Sequence, residues 1–350
     1  MPQMSEITRS HKNNVNANNN ITNSMKQSKS SNTKHNYDQY KLSNTKQTTN
    51  TSSNKNTKDN KAKAYKLYLI LHKKLAQIKN DILNDKQISP TPLIKYIPAM
   101  VKYTQLNNVL LLRALSDKRY GSWFESHSVN VSIYAIKIGL GMEYNKEKLY
   151  SLTFSALLHD VGMVKVPKEI KSKDGKLSNS EREAIEQHPQ YGVNIISPLK
   201  AEYPFLYKVV QQEHEKYNGE GYPNGLEGKE IFEFARIIMI CDIFEALNHS
   251  RSYRKHFKNT EAYHQLLKYE GKEIDPDILK IFMNEFTMFP VGSKVILNSG
   301  EVAQVTSVNK ARPARPKIKV IKDSEGNKVD DPYIIDLEKE PLMRISESIY

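Results

Sequence analysis

The chain has 350 residues, enough for about two domains of ordinary size. Its hydrophobic fraction of 38% is sufficient for a packed core. Because this fraction is low for a fully globular chain, we predict that part of the chain lies outside the core. The single cysteine, Cys241, excludes an internal disulfide framework, and no apolar run approaches the ~18 residues that span a bilayer. The first residues are polar and unlike a signal peptide, so we expect a cytoplasmic protein with no membrane span. The net charge of +13 leaves nucleic acid, a membrane surface and a small polyanionic substrate as partner classes.

The first 60 residues differ in composition from the rest of the chain. They contain 14 Asn, and nine Lys or Arg against three Asp or Glu give them a net charge of +6. With so few large apolar side chains, they cannot bury enough surface to offset their conformational entropy. Residues 1–60 are therefore predicted to be a disordered tail. Nucleic-acid binding by this basic tail is the least favoured of the functions considered.

Helical periodicity starts at about Lys61 and continues to Pro290. Residues 61–120 are predicted to form short helices, interrupted by the prolines of segment 89–92, as an N-terminal helical segment. Residues 121–289 are also predicted to be mainly helical, and nearly all of the side chains suited to chemistry lie there.

After Pro290 the pattern changes to that of β-structure. A hairpin is predicted over residues 295–308 with its turn at 298–300, and further strands are predicted near 318–321 and 334–335. We interpret Arg312, Arg315 and Lys317 as an exposed basic loop, with contact to a polyanion as the alternative. The predicted fold class is mainly α, a helical bundle with a small β-rich C-terminal appendage at residues 290–350.

Six side chains recur at intervals of about one helix along the helical part. Two of the six are adjacent, and the other gaps measure 32, 28, 26 and 28 residues. Each residue lies on or beside the apolar stripe of its predicted helix. A single His in such a place is usually a hydrogen-bonded core residue, and a core-facing Asp is rare unless it is paired or bound to metal. Together they predict a metal site with donors suited to Mn, Fe or Zn. The six residues are His127, His159, Asp160, His188, His214 and Asp242.

The adjacent pair His159 and Asp160 makes this prediction more specific. Neighbouring side chains on a helix point about 100° apart, so Asp160 can bridge two metals while His159 binds one of them. Two metals roughly 3.5–4 Å apart are the usual equipment for hydrolysing phosphoesters, through a hydroxide that bridges them.

Two motifs resemble those of a known family. Residues 157–162, Leu-Leu-His-Asp-Val-Gly, resemble the HD motif of the HD superfamily of metal-dependent phosphohydrolases. Residues 214–223, His-Glu-Lys-Tyr-Asn-Gly-Glu-Gly-Tyr-Pro, resemble the signature of its HD-GYP subgroup, and the similarity covers about residues 120–290. The HD pair alone is a weak signal, whereas the Gly-Tyr-Pro loop at the right distance behind it is a specific one.

The resemblance implies an HD-type helical bundle that hydrolyses cyclic di-GMP to pGpG or GMP with two or three divalent metals, most often iron or manganese. It implies that the six residues above are metal ligands, with His159 and Asp160 as the catalytic pair. Tyr222 would lie against the substrate, and Arg251 and Arg254 would meet its phosphates or a guanine. Cyclic di-GMP is then the expected ligand, and a diguanylate cyclase or other signalling protein is a candidate partner at the Gly-Tyr-Pro loop.

The sequence departs from the family pattern at five positions. Glu213 replaces the first of two adjacent histidines, and because a carboxylate can also ligate a hard divalent metal we include it among the candidate ligands. Met163 replaces a Lys that in the family is placed to contact the scissile phosphate or to assist the leaving group, and we do not expect Lys165 to compensate. Trp123 stands where relatives with a third metal carry a Glu, so two metals are expected. The remaining two departures are Asn218 and Glu245, each in place of Asp.

These departures leave two functional hypotheses and a third, less favoured one. The first is a metal-dependent cyclic di-GMP phosphodiesterase. The alternative is a catalytically degenerate module that binds cyclic di-GMP or a protein partner without turnover. Hydrolysis of a different nucleotide within the wider superfamily is disfavoured by the intact Gly-Tyr-Pro loop.

Overall fold

The computed structural model describes residues 53–106, 108–116, 122–173, 175–248, 259–309 and 311–349. Most of the predicted disordered tail therefore lies outside the described residues. The predicted boundary at residue 60 is wrong, because the first helix, α1, already covers Ser53–Leu83. Once a helix is nucleated, adding residues costs little, and the ion pair between Asp59 and Lys63 one turn apart supports this polar extension.

Helix α1 is amphipathic and packs along one side of the bundle. Its buried residues recur at steps of three and four, which places them on one face: Ala64, Leu67, Leu71, Leu75, Ile78 and Ile82. The short helices predicted for residues 61–120 are found only after α1, which runs unbroken for 31 residues. They are α2 (Thr91–Ile94), α3 (Ile97–Leu106) and α4 (Val109–Ala114).

Two helices at the centre of the bundle are covered on all sides. Helix α5 (Trp123–Gly141) has 15 of its 19 residues buried, and α11 (Glu233–Asn248) has 12 of 16. Burial on all sides is typical of helices at such central positions. The remaining helices around them are α6 (Lys146–Leu158), α7 (Lys168–Lys171), α8 (Asn179–Glu186), α9 (His188–Ile196), α10 (Pro204–Gln212), α12 (Asn259–Leu267) and α13 (Pro276–Glu285).

Three helix starts are fixed by capping residues. The Asn145 side chain accepts a hydrogen bond from the backbone N–H of Lys148 at the start of α6. Ser178 and Glu181 form a capping box at α8. Asp275 caps α13 and also forms a buried ion pair with Arg236 of α11, so a single carboxylate ties two helices together.

The C-terminal part is a five-stranded antiparallel sheet in the order β4-β3-β2-β1-β5. The hairpin and the two later strands are confirmed, and β5 was not predicted. The sheet buries its own apolar cluster, which includes Val295, Val305, Ile318, Val320 and Leu337. The strands are β1 (Lys294–Leu297), β2 (Val302–Ser307), β3 (Lys317–Lys322), β4 (Ile334–Asp336) and β5 (Ile345–Ile349).

The three basic residues singled out in the appendage, Arg312, Arg315 and Lys317, have partners within the appendage itself. The Arg315 guanidinium donates hydrogen bonds to four backbone carbonyls of segment 337–343, so its interpretation as an exposed loop residue is wrong. Arg312 and Lys317 are exposed as predicted and lie near Glu338 and Asp336. These contacts give no support to a polyanion site. The mainly α fold with a β-rich end is confirmed, and in the described part of the chain no helix is long and apolar enough to cross a membrane.

Candidate metal centre

The predicted ligands come from the ends and middles of five helices and meet in one place. His127 lies in the first turns of α5, and Asp242 lies in α11. The other ligands stand at helix ends: His159 and Asp160 directly follow α6, His188 begins α9, and Glu213 and His214 directly follow α10. The helix ends bring polar side chains inward without breaking the apolar packing of the bundle.

A first group of ligand atoms is formed by His127, His159 and Asp242, all within 4.8 Å of one another. The Nε2 atoms of His127 and His159 are 3.1 Å apart, and His127 Nε2 is 3.3 Å from Asp242 Oδ1. Metal–ligand bonds of about 2.0–2.2 Å put neighbouring ligand atoms about 3–3.5 Å apart. The first group therefore has the spacing of donors that share one cation.

A second group consists of Asp160, His188, Glu213 and His214, again within 4.8 Å of one another. His188 Nε2 is 3.4 Å from Asp160 Oδ1 and 3.4 Å from Glu213 Oε1. The carboxylate of Glu213, which replaces a family histidine, thus points into the ligand group. Glu213 is 2% exposed, and its carboxylate makes no hydrogen bond within the described part of the chain. This is unfavourable for a buried carboxylate in the absence of a cation.

Asp160 lies between the two groups. Its Oδ1 faces His188 of the second group, while its Oδ2 is 3.7 Å from His127 Nε2 of the first. The two oxygens of one carboxylate are therefore directed to different groups. This is the arrangement that the adjacent His159 and Asp160 predict for a bridging ligand.

The histidine tautomers test whether these residues fit a metal. Nδ1 of His127 faces a carboxylate oxygen of Glu245 at 2.9 Å, and Nδ1 of His159 and of His188 each faces a backbone carbonyl oxygen at 2.9 and 2.7 Å. These partners only accept, so each Nδ1 must donate, and in the neutral ring Nε2 carries a lone pair. Three bare nitrogens then converge on a site rich in carboxylates, which fits a cation.

The pKa values are consistent with a cation-binding site. Burial lowers the pKa of His159 and of His188 to about 3, so both rings are neutral near pH 7. Burial lowers the pKa of His127 too, but Glu245, Asp242 and Asp160 outweigh it and the net change is upward. Burial raises the pKa of Glu213, and the neighbouring Asp160 and Asp242 raise it further. Carboxylates crowded in this way gain most from a divalent cation.

Two glycines allow the chain segments of the site to approach closely. A Cβ on Gly162 would lie 1.9 Å from the carbonyl oxygen of His188 and 2.5 Å from the backbone nitrogen of Gly192. A Cβ on Gly221 would lie 2.2 Å from the backbone nitrogen of Lys216. The Gly of the HD motif therefore seats α9 against the HD pair, and the Gly of the Gly-Tyr-Pro loop seats that loop against the end of α10.

The Gly-Tyr-Pro loop places an aromatic ring beside the second group. The ring of Tyr222 stacks on His214 with a centroid separation of 5.0 Å and lies edge-on to His188 at 6.4 Å. The buried carboxylate of Glu215 accepts hydrogen bonds from two backbone N–H groups of the loop, those of Asn224 and Leu226. The loop is thereby held next to the ligands.

The departures from the family pattern fall at different places around the site. Trp123 stacks on the ring of His127 with a centroid separation of 4.6 Å, one helical turn before it. Asn218 hydrogen-bonds Glu220 within the loop. Glu245 contacts Nδ1 of His127 through its carboxylate, a role that the sequence does not predict. Its position three residues after Asp242 on the same helix is the feature of the sequence that could have indicated this role. Arg251 and Arg254 lie outside the described residues.

Comparisons with known proteins agree with this arrangement. Residues 98–278 match the family model described as HD domain, and residues 294–350 match a KOW domain associated with HD domain. The chain is 28% identical over 227 residues to a cyclic di-GMP phosphodiesterase of Pseudomonas aeruginosa, covering 65% of this chain and 55% of the relative. It is 28% identical over 195 residues to the cyclic di-GMP phosphodiesterase PdeB of Borreliella burgdorferi, covering 56% of this chain and 51% of the relative.

The chain thus spans about half the length of these curated relatives. A solved structure of an HDG"Y"P protein from Bdellovibrio bacteriovorus has the same fold, with a TM-score of 0.53 and 18% identity over 67% of this chain and 73% of that one. The HD domain model covers just over half of the chain, and the resemblance predicted from the motifs is confirmed. The chain therefore belongs to the HD domain family, as the HD and Gly-Tyr-Pro motifs of its sequence predict.

Proposed function

We propose that this protein is a metal-dependent phosphodiesterase that hydrolyses cyclic di-GMP to pGpG or GMP. The observation that carries this proposal is the pair of ligand groups that meet at Asp160, with one carboxylate oxygen directed to each. The cyclic di-GMP phosphodiesterases among the relatives support the choice of substrate. A cytoplasmic location and a protein partner at the Gly-Tyr-Pro loop stay predictions from the sequence.

We propose two divalent cations, iron or manganese, because the donors are imidazole and carboxylate. His127, His159 and Asp242 would hold one cation, His188, Glu213 and His214 would hold the other, and Asp160 would contact both. Bound there, the cations supply water activation at neutral pH and compensate charge on the phosphoryl oxygens. The stacking of Trp123 on His127 supports two cations over three, since an indole offers no ligand atom at that position.

The chain's own residues hold the ligands and the substrate in place. Glu245 keeps the Nδ1 hydrogen of His127 directed away from the site. Tyr222 offers an aromatic ring against which a base or ribose can lie, because the ring is already fixed by His214. Arg251 and Arg254 stay predicted contacts for the phosphates or a guanine.

The full-length protein, loaded anaerobically with Mn²⁺ or Fe²⁺, tests the proposal. We expect conversion of cyclic di-GMP to pGpG or GMP. Chromatography detects the products, and the metal content is measured on the same sample. Asp160→Asn should abolish turnover, while Asp85→Asn, an exposed carboxylate, should not change it. If folded protein that carries two equivalents of metal showed no turnover, the proposed phosphodiesterase activity would be refuted. Nucleotide binding without turnover would support the degenerate module instead.

A further inference from the structure

We propose that Lys171 is a substrate-binding residue whose ammonium group contacts a phosphate of the cyclic dinucleotide. The inference rests on the proposed function and adds to it a specific phosphate-binding side chain. It is drawn from the position, the hydrogen bonding and the surroundings of this one lysine.

Lys171 is the last residue of the short helix α7, and its side chain folds back over the segment that follows the HD pair. Its Nζ donates a hydrogen bond to the carbonyl oxygen of Met163 at 2.7 Å. Met163 lies in the 3₁₀ helix Val161–Lys165, which begins directly after Asp160. The ammonium is therefore brought to the backbone beside the candidate metal centre.

The hydrogen-bonding capacity of this ammonium is only partly used. An ammonium has three N–H donors, and one of them is taken by the Met163 carbonyl. Among the residues that the structure describes, no carboxylate lies within ion-pair distance of Lys171. Two other lysines of this part of the chain are paired, Lys165 with Asp85 and Lys173 with Glu181, each at 2.6 Å. Lys171 thus keeps donors available for a ligand.

The charges around Lys171 favour an anion at this place. Its side chain is half-buried, and burial lowers its pKa, whereas the nearby Asp160 and Glu169 raise it and Lys79 lowers it. A partly desolvated cation is stabilised by a hydrogen-bonded anionic partner. The carboxylate of Asp160 is directed at the two ligand groups, and Lys79 is held by Ser122 and Glu125. A phosphodiester at the metal centre would supply the missing partner.

The position of Lys171 also bears on a departure from the family pattern. The family carries a phosphate-contacting Lys three residues after the HD Asp, and this chain has Met163 there. Lys171 brings an ammonium to the backbone of that same residue from a different helix. A positive charge is therefore held next to the segment where the sequence has Met163, and it is carried by residue 171.

Two variants test the role of Lys171 in the full-length protein. Lys171→Met removes the charge, and Lys171→Gln keeps a donor for the Met163 carbonyl, so the second variant guards against loss of folding. Each should lower kcat/KM for cyclic di-GMP about 10- to 100-fold, because a charge-assisted hydrogen bond is lost. Metal content should stay at the wild-type value. The exposed Lys168 of the same helix provides the control, and Lys168→Met should leave kcat/KM unchanged.

A binding measurement separates this inference from the proposed function. Cyclic di-GMP is titrated into metal-depleted protein, where no turnover occurs, and both Lys171 variants should bind it several-fold more weakly than wild type. Adding Met163→Lys to Lys171→Met should restore part of kcat/KM and of the affinity, which a merely structural role would not do. Wild-type affinity and kcat/KM in both Lys171 variants, or a loss that follows metal content alone, would overturn the inference. If the wild type showed no turnover but the Lys171 variants still bound cyclic di-GMP more weakly, Lys171 would remain a substrate-binding residue. The proposed enzymatic activity would then be rejected.

Discussion

The carboxylate of Glu245 accepts a hydrogen bond from Nδ1 of His127 at 2.9 Å, across 118 positions of sequence. Because Nδ1 holds the hydrogen, Nε2 is the nitrogen left for a metal, and the ring cannot turn without breaking this bond. Partners of this kind also raise the basicity of the ligating nitrogen. Glu245 is therefore a positioning residue for His127.

Glu245→Gln should weaken metal binding while leaving the fold intact. Partners that orient a ligating histidine typically contribute 10- to 100-fold to metal affinity, so we expect a loss of about that size. Competition with a chelator measures it. Glu233→Gln is the matched control, since Glu233 lies on the same helix but pairs with Lys148 at the surface. Equal metal affinity in wild type and Glu245→Gln would show that Glu245 does not act through His127.

A chain of hydrogen bonds extends this support to the first helix of the bundle. The Tyr68 hydroxyl donates to Asn130 Oδ1 at 2.9 Å, and Asn130 Nδ2 donates to Glu245 Oε1 at 3.3 Å. Tyr68→Phe should lower the free energy of unfolding by about 1 kcal/mol, and it should also reduce metal affinity a few-fold because Glu245 is held less firmly.

The control for Tyr68 is another buried tyrosine, Tyr134, whose hydroxyl bonds a backbone carbonyl instead of the chain from Asn130 to Glu245. The Tyr134 hydroxyl donates to the backbone carbonyl of Ala114 at 3.0 Å. Tyr134→Phe should cost a similar free energy of unfolding, measured by urea denaturation, without any change in metal affinity. If the two variants changed metal affinity equally, the hydrogen-bond chain from Tyr68 to His127 would have no specific role.

Gly162→Ala should disrupt the second ligand group. The added methyl would lie 1.9 Å from the carbonyl oxygen of His188, so α9 must move away and carry the His188 ring with it. We expect a loss of about 1–3 kcal/mol in the free energy of unfolding, as for other overpacked sites, and binding of fewer metal equivalents. Thermal denaturation and metal analysis of the same preparation give both values.

Gly141→Ala is the matched control for this substitution. Its added methyl would also meet a close contact, but against the side chains of Glu285 and Ile281, which can move. Metal content should equal that of wild type. A full metal complement in Gly162→Ala would mean that the close approach of the two backbones is not needed to form the site.

The sequence predicts candidate ligands whose side chains the structure brings together, because their spacing follows the helices that carry them. It did not assign a role to Glu245, since the contact with His127 depends on how α5 and α11 pack rather than on any local pattern. Strand β5 was missed for a related reason: its segment is polar, and pairing with β1 at the other end of the appendage makes it a strand. Residues 53–60 lack apolar side chains, so their composition predicts a tail, although helix α1 extends through them.

Metal stoichiometry provides a direct test of the position of Asp160 between the two groups. Since its Oδ1 faces His188 and its Oδ2 faces His127, Asp160→Asn should weaken the binding of both cations. His188→Gln removes a donor from the second group alone and should lower the bound metal by about one equivalent. Binding of metal to the native state also stabilises it, by about 2.7 kcal/mol at 100 times Kd. The rise in Tm on adding Mn²⁺ should therefore be smaller in Asp160→Asn than in His188→Gln, and the reverse order would contradict a shared ligand.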